Sequence, residues 1–372
     1  MKKIPIILLS IITAMSVTAC SLVGINNSNT SSDDTATPVT ASRIDDREYD
    51  IALITDQDGI DSDHNLKIWK SVIAYGDTMG KTYKYYCESE TSTVEDEMLE
   101  AIERKAKIIV LPDSSYKDIV TKLQDKNPDV SFLMLDTLPS DEFGDNVHCV
   151  KYKEEQVGYF IGYLLIMDGK KKLGYIGSDN SSQNKRYLYG MVQGADAATT
   201  ELRLHDTAVR YSFDAADEKQ AQKIAKNMYD NNIDMIFAAD STVLDGVSKA
   251  AEQTGKMVCA IESAYNGSSD LLFASFDYDH EIAAEAAITT GFDENLDWIS
   301  GKESKNLNFG VENDCIFIYG ENDRWKFENI NKEFFKKIYK KMAEGEITVS
   351  AKTDKKPAIA TLSFSEFKIS DQ

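Results

Sequence analysis

Eleven residues, "TDQDGIDSDHN" (Thr55 to Asn65), carry four carboxylates, Asp56, Asp58, Asp61 and Asp63, directly after the apolar run "IALI". Three chemistries use carboxylates at that density: calcium binding, general acid–base catalysis, and hydrogen bonding to a small ligand at a pocket rim. An EF-hand loop needs oxygens at positions one, three and five, glycine at six and a bidentate glutamate at twelve. Counting from Asp61 puts Leu66 and Val72 at the last two positions, and counting from Asp56 puts Asp61 and Lys67 there. Both registers fail, so no metal is expected. Paired carboxylates could act on a glycoside, but no Gly-x-Ser-x-Gly elbow, phosphate-cradling glycine loop or metal-spaced histidine pair accompanies them. The four histidines, His64, His148, His205 and His280, are scattered, and neither enzyme activity nor a cofactor is expected. What remains is a cap and a rim together. Asp61 or Asp63 can satisfy the free N–H groups of the helix that follows, and Asp56, nearest the strand end, can accept hydrogen bonds from a bound ligand.

Short apolar runs alternate with amphipathic helical stretches along the chain. "DIALITD" precedes a helix ending at Gly80 in which Leu66, Trp69 and Ile73 recur at three-to-four spacing. "KTYKYYCE", "KIIVLPD", "VSFLMLDT" and "NVHCVKY" complete a first set with the helices "VEDEMLEAIERKA" and "SYKDIVTKLQDK". A second set runs through "KLGYIGSD", "DTAVRYSF", "DMIFAAD", "MVCAIES" and "LLFASFDY", separated by three helical stretches. Repeated strand–helix–strand units predict α/β architecture, two doubly wound parallel-sheet lobes with a cleft between them. Ligands of such sheets bind beyond the carboxyl ends of the strands, and the aspartate-rich stretch is the loop after the first strand.

The amino end, "MKKIPIILLSIITAMSVTAC", has a basic start, an apolar stretch too short to cross a bilayer and small residues before Cys20, the layout of an export signal. "VTAC" looks like a bacterial lipobox, which makes residues 1–19 a leader and Cys20 the lipidated first residue of a membrane-anchored protein, held stably by more than one acyl chain. An ordinary signal peptide that happens to contain a cysteine is the alternative. Residues 20–48, rich in Ser, Thr, Asn and Asp, read as a flexible tether. The formal charge is −21, which argues against nucleic acid as a partner. Hydrophobic residues make up 42% of the chain, enough for folded cores. Cys87, Cys149, Cys259 and Cys315 each lie in or beside a β-like run without a Cys-x-x-Cys pair and read as buried thiols.

Several stretches resemble, in order, the motifs of the basic-membrane-protein, or purine-nucleoside-receptor-like, solute-binding lipoproteins: "IALITDQDGIDSDHNLKIW", "NVHCVKYKEEQVGYFIGYLL", "GYIGSDNSSQNKRYLYGMVQGA", "YSFDAADEKQAQKIA" and "DMIFAAD". The resemblance spans about Asp50 to Val349 and implies two lobes joined by crossover strands: residues 49–152 with about 279–312, and 153–278 with about 313–372. It also implies a monomer that holds a nucleoside-like small molecule in the cleft and delivers it to the permease and ATPase subunits of an ABC importer. Carried over residue by residue, it aligns His64 with the family's first stacking ring, Asn65 with the family asparagine and Phe213 with the second ring, although a phenylalanine at a strand end can equally be core. Asp136 aligns with the acid on the base edge, and Tyr116 is assigned to the first-lobe side. Where the family has two glycines, a threonine and a glycine, this chain has Asp240-Ser241-Thr242-Val243. Glu262 replaces the ribose acid, and Tyr278 stands where the ribose lysine is expected. These departures leave open a surface signalling or interaction lipoprotein with a degenerate cleft.

Overall fold

A computed structural model describes residues 47–261, 270–299, 305–319 and 325–369. The leader, Cys20 and nearly all of the tether lie outside them. Along the chain come β1 (Ile51–Thr55), α1 (Asp63–Met79), β2 (Tyr83–Cys87), α2 (Val94–Glu103), β3 (Ile108–Leu111), α3 (Lys117–Leu123), β4 (Ser131–Met134) and β5 (Val147–Tyr152). Then follow α4 (Glu154–Met167), β6 (Lys172–Ile176), α5 (Ser182–Glu201), β7 (Ala208–Ser212), α6 (Glu218–Asp230), β8 (Met235–Ala238), α7 (Ser241–Thr254), β9 (Val258–Ile261) and β10 (Leu272–Tyr278). The remainder is α8 (His280–Gly291), β11 (Leu307–Phe309), β12 (Ile316–Tyr319), α9 (Lys332–Ala343) and β13 (Ser363–Glu366).

The strands form two sheets. One has the order β11-β5-β4-β3-β1-β2 and the other β12-β10-β9-β8-β6-β7-β13. Each grows outward from a central strand in both directions, as doubly wound sheets do. Every pairing is parallel except that of β12, which runs antiparallel to β10 at an edge. Central strands such as β1, β3, β8 and β9 are buried along their whole length. Helices cover both faces of a parallel sheet, so such strands carry continuous apolar runs rather than alternation. The chain passes between the sheets at Lys153, Asp279 and the Gly310–Cys315 turn.

Two details correct the sequence reading of α1. Its buried face is Ile68, Val72 and Tyr75, whereas Leu66, Trp69 and Ile73 flank that face and are only half-buried. Its N-cap is Ser62, with no side-chain cap hydrogen bond, so neither Asp61 nor Asp63 occupies the capping position; Asp61 closes a short 3-10 turn instead. Gly80 ends the helix in the left-handed conformation at φ 65°, as a C-terminal glycine should.

After an acidic first turn, helix α4 is apolar all round, and it is buried along almost its whole length, as a helix inside a core must be. It lies against α5 at backbone contact. A methyl group added at Gly158 would collide with the Tyr187 carbonyl, and one added at Gly190 with that of Glu155. The two helices therefore pack backbone to backbone. The carboxyl-terminal segment runs along α5, where the Asp196 carboxylate accepts the backbone N–H groups of Ala360, Thr361 and Leu362 at 2.8–3.0 Å. From there β13 pairs with β7 and closes that edge of the sheet. Cys149, Cys259 and Cys315 are buried free thiols pushed up to about 12 by burial, and Cys87 is a half-buried free thiol.

Candidate functional site

A cleft of about 540 Å³ opens where the carboxyl ends of both sets of strands converge. From the first sheet it receives His64 at the start of α1, Asp113 after β3 and Asp136 after β4. From the second come Ser178 and Asp179 after β6, Ser181, Gln183, Asn184 and Tyr187 at the start of α5, and Asp240 after β8. Ile261 and Tyr278 end β9 and β10, and His280 begins α8. A second cavity of about 320 Å³ shares Asp136 and Gln183 and adds Lys117, Lys151 and Glu154.

The floor is Asp136. It sits just past β4 at φ 40°, a left-handed conformation that aspartate tolerates better than most side chains. It lies deep in the cleft yet stays exposed to it. Crowding by the surrounding protein pushes its carboxyl up to about 7, helped by the neighbouring charges of Glu154, Asp113 and Asp277. The open cleft screens the size of that shift but not its direction. No hydrogen-bond or ion-pair partner for the Asp136 side chain exists among the described residues.

The aromatic wall is a chain of rings. Tyr278 stacks on Tyr152 with centroids 4.3 Å apart and planes 14° from parallel. Its hydroxyl shares a hydrogen bond of 2.9 Å with that of Tyr187. The Tyr152 hydroxyl lies 2.9 Å from His280 Nδ1, and His280 meets the His64 ring edge-on at 4.2 Å. Burial pushes His280 down to about 3, so it is neutral at physiological pH. His64 Nε2 is 3.4 Å from the Pro112 carbonyl. The series links the first turn of α1 to the first turns of α5 and α8 across the cleft.

The carboxylates of the second wall are held by neutral donors. Asp240 accepts from the Val243 N–H at 3.2 Å, capping α7, and from the Ser178 N–H and hydroxyl at 3.2 and 3.1 Å. Asp179 accepts from the Ser181 N–H and the Asn184 amide, both at 3.0 Å, and these bonds hold it below the usual carboxylate range. Asn184 in turn accepts from the Tyr175 hydroxyl at 2.7 Å.

Of the residues singled out from sequence, His64, Asp136, Asp240 and Tyr278 come together around the cleft. Asp56, Asn65, Tyr116 and Phe213 are not among its lining residues. Asn65 and Tyr116 shape the opening loop instead: the Asn65 amide donates to the Gly59 carbonyl at 2.9 Å, and the Tyr116 hydroxyl accepts the Asp56 N–H at 3.0 Å. The Asp56 carboxylate accepts the Asp58 N–H at 3.1 Å. Phe213 turns toward Tyr175 and Tyr211, with centroids 6.0 and 5.3 Å away. Glu262 lies outside the described residues. Sequence reasoning missed Asp113, Asp179, Asn184, Tyr187 and His280. The signal that finds them is position: each lies within the first residues after a strand's carboxyl end or in the first turns of the following helix.

A two-sheet α/β body with a polar, aromatic-walled cleft at the strand ends defines the class of type I solute-binding folds. Residues 49–351 match the Bmp family, described as ABC transporter substrate-binding protein PnrA-like, and the chain belongs to that family. The chain is 24% identical over 217 residues to a "CD4+ T-cell-stimulating antigen" of Listeria monocytogenes, an alignment covering 56% of this chain and 59% of that relative's length. It is 22% identical over 255 residues to the "ABC transporter nucleoside-binding protein BmpA" of Lactococcus lactis, covering 67% of this chain and 69% of the relative. Among solved structures, an ABC transporter solute-binding protein from Conexibacter woesei superposes with a TM-score of 0.57 at 14% identity, covering 82% of this chain and 99% of that one. That likeness carries the fold alone.

Proposed function

We propose that the protein is a lipid-anchored, extracytoplasmic solute-binding protein of an ABC importer, whose ligand is a nucleoside or a similarly flat, polar metabolite. Cys20 would carry the anchor, and the partners would be the importer's permease and ATPase subunits, contacted by a monomer. The single observation that carries the reading is the cleft, where carboxylates and stacked tyrosines converge from the ends of both sheets in a volume suited to one small molecule. The name of the Lactococcus relative agrees with a nucleoside. Two lobes, residues 49–152 with about 279–312 and 153–278 with about 313–372, would close on the ligand because contacts from both stabilise the closed state over the open one.

Mass spectrometry of small molecules released from the purified, denatured protein tests this reading directly. A nucleoside recovered in near-stoichiometric amount is the expected result. Recovery of no small molecule, together with no heat of binding across purine and pyrimidine nucleosides, would count against it.

A further inference from the structure

The cleft is unusually one-sided in charge. Asp113, Asp136, Asp179 and Asp240 line it, and no lysine or arginine does among the described residues. The stretch Glu262–Ser269 has neither residue type in its sequence. None of the four carboxylates is ion-paired among the described residues. Asp113 accepts the Ser115 N–H at 2.7 Å, Asp179 and Asp240 accept from neutral N–H, hydroxyl and amide groups, and Asp136 has no donor among the described residues. Neutral donors hold a carboxylate in its ionised form without cancelling its charge. Among the described residues the nearest cations stand off this lining: Lys67 acts on His280 from α1, and in the adjoining cavity Lys117 is spent on Glu142 at 2.6 Å and Lys151 stands on β5, with Arg186 held by Glu154 behind it.

A bare metal ion is a poor match, because among the described residues no three carboxylate, histidine or cysteine groups converge as ligands. The charge is spread around a cavity the size of a small organic molecule, with tyrosine and histidine rings on one wall, and a ring cation gains from both features.

Resting on the reading of this cleft as a nucleoside-type site, we propose that it selects ligands whose ring system carries a positive charge, prefers them over neutral rings of the same shape, and rejects phosphorylated ones. A carboxylate such as Asp136, with no partner among the described residues, would face a cationic ring edge directly, whereas a phosphate would meet four like charges. Where the family pattern expects a lysine, Tyr278 stands, which removes the cation that would otherwise oppose such a ligand.

The decisive comparison keeps size and outline nearly fixed while removing the ring's charge: nicotinamide riboside, a permanent cation, against its neutral dihydro form. Both are titrated calorimetrically into the whole protein at about pH 8, alongside adenosine and adenosine monophosphate. The cation should bind roughly tenfold or more tightly than its neutral partner, as expected for one partly screened charge interaction. The monophosphate should bind at least tenfold more weakly than adenosine. Asp136→Asn, which keeps a residue tolerant of the left-handed backbone, should shrink the ratio to within about threefold while the protein melts cooperatively. Raising salt from about 50 to about 500 mM should narrow it in the parent as well. If adenosine binds and the charged pair shows no difference, the charge selectivity is wrong while the nucleoside reading stands. If no member of the panel binds, both fall.

Discussion

Two acidic residues that share the wall of one cavity show how differently one chain can treat a carboxylate. Glu154 opens α4 behind the cleft, is almost fully buried, and is gripped by Arg186 through two hydrogen bonds of 2.6 and 3.0 Å. Asp136, on the floor of the cleft, has no such partner among the described residues. The first is a structural charge whose cost of leaving water is offset by geometry. The second is held in reserve, which is what a group that receives a ligand has to be. An acid that looks equivalent in sequence thus divides into scaffold and site according to whether the fold supplies a cation.

The largest expected effect comes from breaking the paired side. Arg186→Met would strand Glu154 as an uncompensated buried charge, a loss of about 3–5 kcal/mol. Chemical denaturation should show it as a lower midpoint with an unchanged slope. A loss under about 1 kcal/mol would mean that Glu154 takes up a proton or reaches water with little penalty, and the contrast with Asp136 would dissolve.

A smaller effect sharpens the boundary of the cleft. Phe213→Ala deletes a half-buried ring packed on Tyr175 and Tyr211, so stability should drop by roughly 2 kcal/mol, about half the cost of a fully buried phenylalanine. Ligand affinity should stay within about threefold of the parent. A drop of tenfold or more with stability intact would return Phe213 to the stacking role its sequence position suggests.

The smallest effect is on the open side and depends on pH. Because the folded protein raises Asp136 from about 3.9 to about 7, the folded state binds more protons than the unfolded one between those values. Its contribution is therefore fully present below pH ~4 and is lost as pH rises through ~7. Asp136→Asn should raise the melting temperature of the ligand-free protein at pH 8 relative to the parent, and less so, or not at all, at pH 4.5. Equal shifts at both pH values would show that the carboxyl is not perturbed by folding.

Much of the architecture was legible because parallel sheets write themselves as uninterrupted apolar runs; β1, β4, β8 and β10 all coincide with stretches that stand out by eye. Strands β11 and β13 and the helices α8 and α9 did not stand out, the strands because three or four residues with polar members carry too little pattern. Strand β12 reads in sequence as the β-like run beside Cys315, but its antiparallel direction depends on how the chain crosses back, which local residues do not encode. In the candidate site, the family resemblance pointed to Asp136, Asp240 and Tyr278, and all three line the cleft. Phe213 sits at such an end too, yet its ring turns inward onto Tyr175, a rotamer decision made by tertiary packing. His280 and Tyr187 also follow strand ends, but the ring network that joins them runs between residues 91 to 128 positions apart, which no local pattern encodes.

The carboxyl-terminal segment has a consequence for where this protein can be cut. The family match stops at residue 351, but β13 lies beyond it and supplies the outermost strand of the second sheet. A fragment trimmed at the shared boundary would leave the backbone of β7 unsatisfied along a fresh, solvent-facing border, an adhesive seam of the kind that recruits strands from other molecules. The Asp196 clasp on Ala360, Thr361 and Leu362 is thus a selvedge, keeping the weave from fraying into neighbours.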